Sequence, residues 1–314
     1  MKSVRRLWKV RYMNYSIYKL VFNTGVHFGT GVLSESEYTF RADQLFSALY
    51  IEALKQGNER EFYDAVNSGN LLFSDSFPYK ENQYMLPKPM LYIEPTDKGK
   101  SEQKKAYKNM KFVPIELLDD FLKGRMDVEN NIIKDYGYYV QQTMAGVRTE
   151  DETQPFRVGT YYYNRGCGLY IIVAYKSDVE KMLAEDLLEA LSYVGIGGKK
   201  SSGLGKFEFK LAGAASKIID MLQRNTGRSM LLSTALPRNE ELERALDGAT
   251  YLLERRSGFI ASDKYASEWR KKKDLYVFAS GSCFVNRFEG DIIDVSDNGK
   301  HSVYRYAKPI FIDL

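Results

Sequence analysis

One stretch of this sequence, GIGGKKSSGLGK at residues 195–206, concentrates residue types that bind phosphate. It holds five glycines, three lysines and two serines within 12 residues. Glycines let the backbone approach a ligand closely, so that amide N–H groups, serine hydroxyls and lysine ammonium groups can surround a phosphate. The spacing fails as a nucleotide-binding motif, because Leu204 stands where a P-loop needs lysine and Lys200 stands where G-x-G-x-x-G needs glycine. The loop therefore predicts a contact with nucleic-acid phosphates, and the alternative is a plain surface turn.

Few other residues suit catalysis or metal binding. Two histidines, His27 and His301, and two cysteines, Cys167 and Cys283, are too few for a histidine-rich metal centre or a disulfide framework. Both cysteines lie in strand-like runs and are expected in the core. His27 follows a predicted strand. A single imidazole there is sufficient to act as a general base toward a ribose hydroxyl, and the alternative is a turn residue that only forms hydrogen bonds. The sequence predicts no metal and no cofactor.

The elements around the loop follow the order β-α-β-β-α-β. Residues 16–23 alternate like a strand, residues 41–54 carry apolar residues at helical spacing, and residues 156–174 indicate strand, turn and strand. A helix with a capping box at residues 177–180 follows, and the glycine-rich loop leads into a last strand at 206–212. This is the order of a ferredoxin-like or RRM-like unit, so we predict an α+β fold.

A long insertion interrupts this unit after its first helix, and a shorter second unit follows it. Residues 75–150 hold five of the eight prolines, and residues 98–125 carry eight basic residues against four acidic ones. We predict an arm here, mobile in the free chain and contacting an anionic partner; a solvated insertion is the alternative. The predicted domains are residues 1–215, with the inserted arm at about 75–150, and residues 216–314, a second ferredoxin-like domain.

Composition narrows the class of protein further. The 24 tyrosines, 17 phenylalanines and 2 tryptophans suit stacking on unpaired bases, but they equally suit the core of a sheet-rich protein. TYYYNRG at 160–166 and the pair His27–Phe28 are the candidate stacking platforms.

The net charge is only +4, so any affinity for nucleic acid is local, as at the seven basic residues within 255–273. Neither a membrane-spanning apolar run nor a signal peptide is recognisable, so we predict a cytoplasmic protein without a membrane partner.

Several motifs resemble the RAMP superfamily of CRISPR-associated proteins. GIGGKKSSGLGKFEF, between a helix and the last strand, is similar to the glycine-rich loop of that superfamily. HFGTG at 27–31, followed by FRADQLFSALYIEAL at 40–54, resembles the start of the Csm-type member that holds the 5′ end of the guide RNA. That family usually has Ser-Asp where this chain has Arg41 and Ala42 before Asp43.

Two further regions extend the resemblance to roughly residues 15–314. MAGVRTEDETQPF at 144–156 is similar to the RAMP segment whose arginine precedes the central hairpin, which places Arg148 in that role. In the second half, MLLSTALPRNEEL, LLERRSGFI, FASGSCF and VYRYAKPIFI follow the C-terminal pattern of the same subunit. The ordered set is typical of the Cas5-like subunit of the type III-A (Csm) CRISPR effector complex.

The resemblance implies tandem ferredoxin-like domains and a non-catalytic role. Such subunits bind the repeat-derived 5′ tag of the CRISPR RNA and dock the large polymerase-type subunit and a neighbouring RAMP backbone subunit, and their inserted arm is a thumb near the target RNA. The rivals are a metal-independent RAMP endoribonuclease that processes precursor CRISPR RNA with His27 as base, and a purely structural adaptor. The predicted RNA-binding residues are Gly197, Gly198, Lys199, Lys200, Ser201, Ser202, Gly203, Gly205, His27, Arg41 and Arg148.

Overall fold

The computed structural model describes residues 13–94, 101–128, 134–145, 155–213, 215–224, 227–260, 262, 264–268 and 270–314. The helices are α1 Ala42–Gln56, α2 Glu59–Asn67, α3 Ser101–Asn109, α4 Leu118–Leu122, α5 Asp178–Val194, α6 Ser216–Gln223 and α7 Asn239–Leu246. The strands are β1 Asn14–Phe22, β2 Leu71–Phe73, β3 Phe77–Lys80, β4 Gln83–Pro87, β5 Phe112–Pro114, β6 Gly137–Ala145, β7 Pro155–Tyr163, β8 Cys167–Tyr175, β9 Phe207–Leu211, β10 Ser229–Leu231, β11 Leu253–Arg256, β12 Leu275–Phe278, β13 Cys283–Phe284, β14 Asp291–Asp294, β15 Tyr304–Ala307 and β16 Phe311–Asp313.

An antiparallel sheet organises the first half of the chain. Its strand order is β5-β4-β3-β8-β1-β9, and β2 also pairs with β8. β1 lies between β8 and β9 and runs antiparallel to both, with Leu20 opposite Leu169 on one side and Phe209 on the other. Since α1 follows β1 and α5 follows β8, this is the strand order of the predicted β-α-β-β-α-β unit. The predicted α+β class is confirmed.

The second strand of this unit is not the one that the sequence indicated. FRVGTYYY belongs to β7, which pairs with β6 from Gly137 opposite Tyr163 to Ala145 opposite Pro155, while β2 and β3 pair with β8. β8 is buried at every position, and its partners β2 and β3 are buried at all but one position each. β7 keeps exposed positions such as Arg157 and therefore suits a two-stranded ribbon.

Different elements cover the two faces of the central sheet. On one face α1 and α5 pack around residues that include Leu45 and Leu187. On the other face a second apolar cluster joins Ile172 of β8 to Ile218 of α6 and Ile312 of β16. This shared core connects the two halves of the chain. The boundary between domains near residue 216 stays a prediction.

The second half is built on a smaller sheet, in which β10 lies between β13 and β16. α7 follows β10, as α1 follows β1. Between β13 and β16, the ribbon β14–β15 stands where a complete ferredoxin-like unit has its second helix. This ribbon reaches back to the first half, where the Tyr306 and Tyr304 rings contact Phe46 and Tyr50 of α1.

Most of the described insertion belongs to the core. β3, β4 and β5 extend the central sheet, and the residues after β5 bury Ile115, Leu118 and Phe121 in the second apolar cluster. The expectation of a mobile arm over about 75–150 is therefore wrong for residues 75–87 and 105–125. Short apolar runs suffice here because they cover an existing sheet and need no core of their own.

A substitution at Phe121 measures how far the insertion supports the fold. Phe121 is 1% exposed and stacks on Tyr107 with ring centroids 5.9 Å apart. Phe121→Ala is expected to lower the free energy of unfolding by about 3–5 kcal/mol in urea denaturation. The control Lys123→Ala, at an exposed position two residues on, should change it by less than about 0.5 kcal/mol. Equal stability of the two variants would contradict the assignment of this part of the insertion to the core.

Candidate nucleic-acid interface

The glycine-rich loop joins α5 to β9 and is closed at its neck by backbone hydrogen bonds. The Ile196 N–H donates to the Gly205 carbonyl at 3.0 Å, and the Gly205 N–H donates to the Gly25 carbonyl at 2.9 Å. A Cβ on Gly205 would overlap the Ile196 carbonyl, and its φ of 79° lies in the left-handed region. Only glycine is accommodated there without strain, so this residue sets how closely the two sides of the neck approach each other.

The tip of the loop presents cations, hydroxyls and amides. A single 3₁₀ turn spans Lys200–Ser202, and both serines are exposed. Within the described part of the chain, the amides of residues 199–201 donate no hydrogen bond. Open N–H groups beside lysine side chains are hydrogen-bond donors that suit the oxygens of a phosphate.

His27 lies against this loop and is only 6% exposed. Its Nδ1 donates to the carbonyl of Gly159 in β7 at 2.7 Å, because a carbonyl can only accept, and this leaves Nε2 as the acceptor of the neutral ring. The His27 carbonyl accepts from the Gly198 N–H at 2.8 Å, and a Cβ on Gly198 would lie 2.6 Å from the imidazole Cδ2. The fold thus brings together the histidine and the loop that the sequence singled out.

The two lysines at the tip have different neighbours. Lys199 Nζ lies 4.5 Å from the ring centroid of Phe156 in β7, a cation–π contact. Lys200 faces the last turns of α1, where Lys55 Nζ and the buried Glu52 Oε1 are 2.7 Å apart. Partial burial lowers the pKa of Lys200, Glu52 opposes this shift, and Lys55 adds to it. The loop therefore lies between β7 on one side and α1 on the other.

Arg41 lies at the opposite end of α1 and is paired within the chain. Its Nε donates to both carboxylate oxygens of Glu254 in β11, at 3.2 and 3.1 Å, and lies 3.9 Å from Oδ2 of Asp75. α1 has 15 residues and is about 22 Å long, so most of its length separates Arg41 from Lys200. The fold does not bring Arg41 to the loop, and its contact with RNA stays a prediction.

Next to Arg41, Asp43 anchors a buried ion cluster between the two halves of the chain. Arg256 of β11 donates to both Asp43 oxygens at 2.8 and 3.0 Å, and Arg305 of β15 donates to Oδ2 at 2.7 Å. Asp43 and Arg305 are 5% and 4% exposed. Three charge-assisted hydrogen bonds thus hold the start of α1 against the second half of the chain.

The charges of this cluster set the pKa of its carboxylates. Burial alone raises the pKa of Asp43, but Arg256 and Arg305 outweigh it and hold that pKa below its usual value. Burial also raises the pKa of Asp75, and the more distant Arg41 only partly offsets the increase. Asp43 is therefore the carboxylate whose charge the arginines require.

The two candidate stacking platforms have different surroundings in the structure. Tyr161 and Tyr163 of β7 join a ring cluster with Tyr38 and Tyr136, with centroids 5.4 Å apart for Tyr38–Tyr161 and 5.6 Å apart for Tyr136–Tyr163. Burial raises the pKa of Tyr163 well above its usual value. Phe28 is 1% exposed in the core, so the hypothesis that it stacks on a base is wrong.

Sequence reasoning missed Phe156, Gly159 and Glu52 as neighbours of the loop. They reach it from β7 and α1 through tertiary packing, and no local pattern marks them. Arg148 lies outside the described residues, so its contact with RNA stays a prediction.

The other reactive side chains are accounted for by the core and the surface. Cys167 and Cys283 are buried, as predicted, and burial raises the pKa of both thiols. His301 is exposed, with its Nε2 2.9 Å from Ser262 Oγ. Among the residues that the structure describes, no group of three or more His, Cys, Asp or Glu side chains is placed to share a metal ion. None of the described helices is both long and apolar enough to cross a membrane.

Family profiles match both halves of the chain. The profile of the RAMP superfamily matches residues 19–208, which contain the central sheet and the glycine-rich loop, so the chain is a RAMP protein. A profile described as the CRISPR Csm4 C-terminal domain matches residues 224–314. The chain belongs to the Csm4 family of these proteins, and the resemblance seen in its motifs is confirmed.

Relatives over the full length support this membership. Proteins from Mycobacterium tuberculosis (strain ATCC 25618 / H37Rv) and Streptococcus thermophilus, each described as "CRISPR system Cms protein Csm4", are 35% identical to it over 305 and 317 residues. The alignments cover 96% of this chain and 98% and 99% of those proteins.

Two solved structures share the fold. The Csm3–Csm4 subcomplex of the type III-A CRISPR-Cas interference complex matches with a TM-score of 0.66 at 18% identity, over 95% of this chain and 99% of that one. The Csm1–Csm4 cassette in complex with cA4 matches with a TM-score of 0.58 at 20% identity, over 96% and 99%. Both likenesses confirm the RAMP fold.

The contribution of the ion cluster is measurable through Asp43. Asp43→Asn leaves Arg256 and Arg305 buried without their carboxylate, so the free energy of unfolding at pH 7 is expected to fall by about 3–5 kcal/mol. The pKa of Asp43 is lowered in the folded chain, so its contribution is present above the ordinary value of 3.8 and is lost as the pH falls below it. The difference between wild type and variant should therefore shrink toward low pH in urea denaturation.

Asp64→Asn is the matched control for this experiment. It removes an exposed carboxylate 4.0 Å from Arg60 and should cost less than about 1 kcal/mol at any pH. A similar loss in both variants, or a difference that grows with acid, would contradict the role given to Asp43.

Proposed function

We propose that this chain is the subunit of a type III-A CRISPR complex that holds the 5′ tag of the CRISPR RNA. Lys199, Lys200, the hydroxyls of Ser201 and Ser202 and the open amides of residues 199–201 bind phosphates of the tag. The observation that carries this proposal is the packing of the glycine-rich loop against His27 and β7, which orients these groups toward solvent. Family membership supports it, because the relatives are CRISPR proteins.

The glycines act through the backbone in this proposal. Gly198 permits the close approach to His27 and Gly205 the close approach to Ile196, and Gly197 packs its Cα against the His27 carbonyl, where a Cβ would lie 2.7 Å away. Gly203, with a φ of 85°, returns the chain toward β9. These residues set the shape that a phosphate meets, and the lysines and serines supply the charge and hydroxyl groups.

Recognition without turnover is the proposed chemistry. A histidine that acts as general base takes the proton of a ribose 2′-OH, whose oxygen then attacks the adjacent phosphate. For this the imidazole must reach the RNA with a free nitrogen. Since Nδ1 of His27 is bonded to Gly159, Nε2 is the nitrogen that would have to reach the RNA, but the ring is nearly buried and Gly198 covers its Cδ2 side. His27 therefore positions the loop in this proposal, and the endoribonuclease is the alternative.

The proposed partners follow the relatives. The solved structures pair the matched Csm4 chains with Csm3 or with Csm1, and we assign the same kinds of partner to this chain: a neighbouring RAMP backbone subunit and the large polymerase-type subunit. The thumb near the target RNA is the ribbon β6–β7, since residues 137–144 of β6 include no buried position and pair with β7. The rest of the described insertion supports the sheet.

The salt dependence of RNA binding tests the loop. Lys199→Ala combined with Lys200→Ala is expected to weaken the binding of tag-containing single-stranded RNA and to reduce the slope of log K against log salt. Each lost phosphate contact lowers that slope by about 0.7, so the double variant should lose about 1.4. Fluorescence anisotropy across a salt series measures both quantities.

A charge-matched control separates a local contact from a general loss of positive charge. Lys176→Ala with Lys181→Ala removes the same charge at the other end of α5, about 25 Å from the loop, and should leave the slope nearly unchanged. Equal slopes in wild type and in the loop variant, with folding intact by circular dichroism, would remove the loop from the RNA site.

Incubation with repeat-containing RNA tests the absence of turnover. The purified chain is expected to leave this RNA uncut with or without divalent metal, because His27 is bonded and nearly buried. His301→Ala, which changes the exposed histidine, serves as the control for contaminating nuclease. Specific cleavage that survives in His301→Ala and disappears in His27→Ala would establish the endoribonuclease instead.

A further inference from the structure

An exposed tyrosine of β6 has an arrangement that the proposed phosphate contacts do not use. Tyr138 lies opposite Tyr162 of β7, and the two rings stack with centroids 5.3 Å apart and 14° between their planes. Tyr138 is 55% exposed, so the ring face that points away from Tyr162 is open to solvent. A flat aromatic ring in this state is the surface on which an unpaired base stacks, because every base has an aromatic face.

The inner ring of this pair is fixed from two sides. Gln142 Nε2 donates to the Tyr162 hydroxyl at 2.6 Å. The Tyr162 ring also lies against Gly25, where a Cβ would come within 2.8 Å of the ring carbon Cζ. Because Tyr162 is held in one orientation, Tyr138 stacks on a rigid support and little side-chain freedom is lost when a ligand binds.

Gly25 connects the tyrosine pair to the glycine-rich loop. Its carbonyl accepts from the Gly205 N–H at the neck of the loop, while the Tyr162 ring covers its Cα. At the other end of β7, the Phe156 ring contacts Lys199 at the tip. β7 thus runs beside the loop, and about 20 Å of strand separates the lysine contact from the tyrosine pair.

We propose that Tyr138 is a stacking platform for one unpaired base of an RNA strand whose phosphates the loop holds. A nucleobase is favoured over an apolar protein segment because the surface along β7 leads from Tyr138 to the two lysines and open amides of the loop tip. These groups bind an anion, which a nucleic acid supplies through its phosphates. The assignment rests on the proposed function for its phosphate contacts and adds a base contact at a residue that the sequence did not mark.

The experiment measures the affinity of the full chain for tag-containing single-stranded RNA in two variants. Tyr138→Ala is expected to weaken binding by roughly 5- to 150-fold, the range that one base–aromatic stack contributes. Tyr138→Phe is expected to bind like wild type, since stacking needs the ring and not the hydroxyl. The salt slope should stay unchanged in both variants, because no phosphate contact is lost.

The control and the loop variant separate the possible failures. Tyr276→Ala removes a tyrosine of similar exposure, 58%, on the separate ribbon β11–β12 and should not alter the affinity. Unchanged affinity in Tyr138→Ala, while Lys199→Ala with Lys200→Ala still weakens binding, would overturn the platform, leave the proposed function standing and direct attention to a protein partner at Tyr138. Equal losses in Tyr138→Ala and Tyr138→Phe would also overturn it. A wild-type chain that binds no RNA would overturn both proposals.

Discussion

The candidate site depends on the close approach of two backbones, the glycine-rich loop and the segment that follows β1. Gly198 and Gly205 donate to the carbonyls of His27 and Gly25, and a Cβ on these glycines would overlap the His27 ring and the Ile196 carbonyl respectively. Because β1 lies between β8 and β9 in the sheet and α5 and β9 flank the loop, this contact transmits the geometry of the core to the tip. The lysines are oriented by a rigid scaffold although they lie in a turn.

Lys199 and Lys200 place positive charge at the tip of the loop. The chain carries a net charge of only +4, so long-range attraction of RNA is weak and the local arrangement must supply the affinity. Partial burial disfavours the charged form of Lys200, and the neighbouring Lys55 adds to that effect. A phosphate at the tip would oppose this effect and raise the pKa of Lys200 again.

Local sequence signals predicted the elements that hold the site. The periodicity of the sequence predicted β1 and α1 close to their observed bounds. The capping box predicted the start of α5, where the Ser177 N–H donates to Glu180 Oε2 at 2.9 Å. The partner of β8 could not be predicted this way, because neighbouring strands in a sequence need not pair. The insertion was misjudged because its prolines and lysines are conspicuous, whereas the apolar residues that bury it occur in short runs. The contacts of Phe156 and Gly159 with the site arise only from tertiary packing.

The ion cluster at Asp43 also has a consequence for the order of folding during synthesis. Asp43 and Arg305 are 262 residues apart in sequence, so at about 5–20 residues per second a ribosome needs about 13–52 s to add the second partner after the first. Arg256, 213 residues after Asp43, is made before Arg305, so the cluster cannot be complete until the end of that interval. The amino-terminal half therefore acquires the last of these contacts only after Arg305 has left the ribosome.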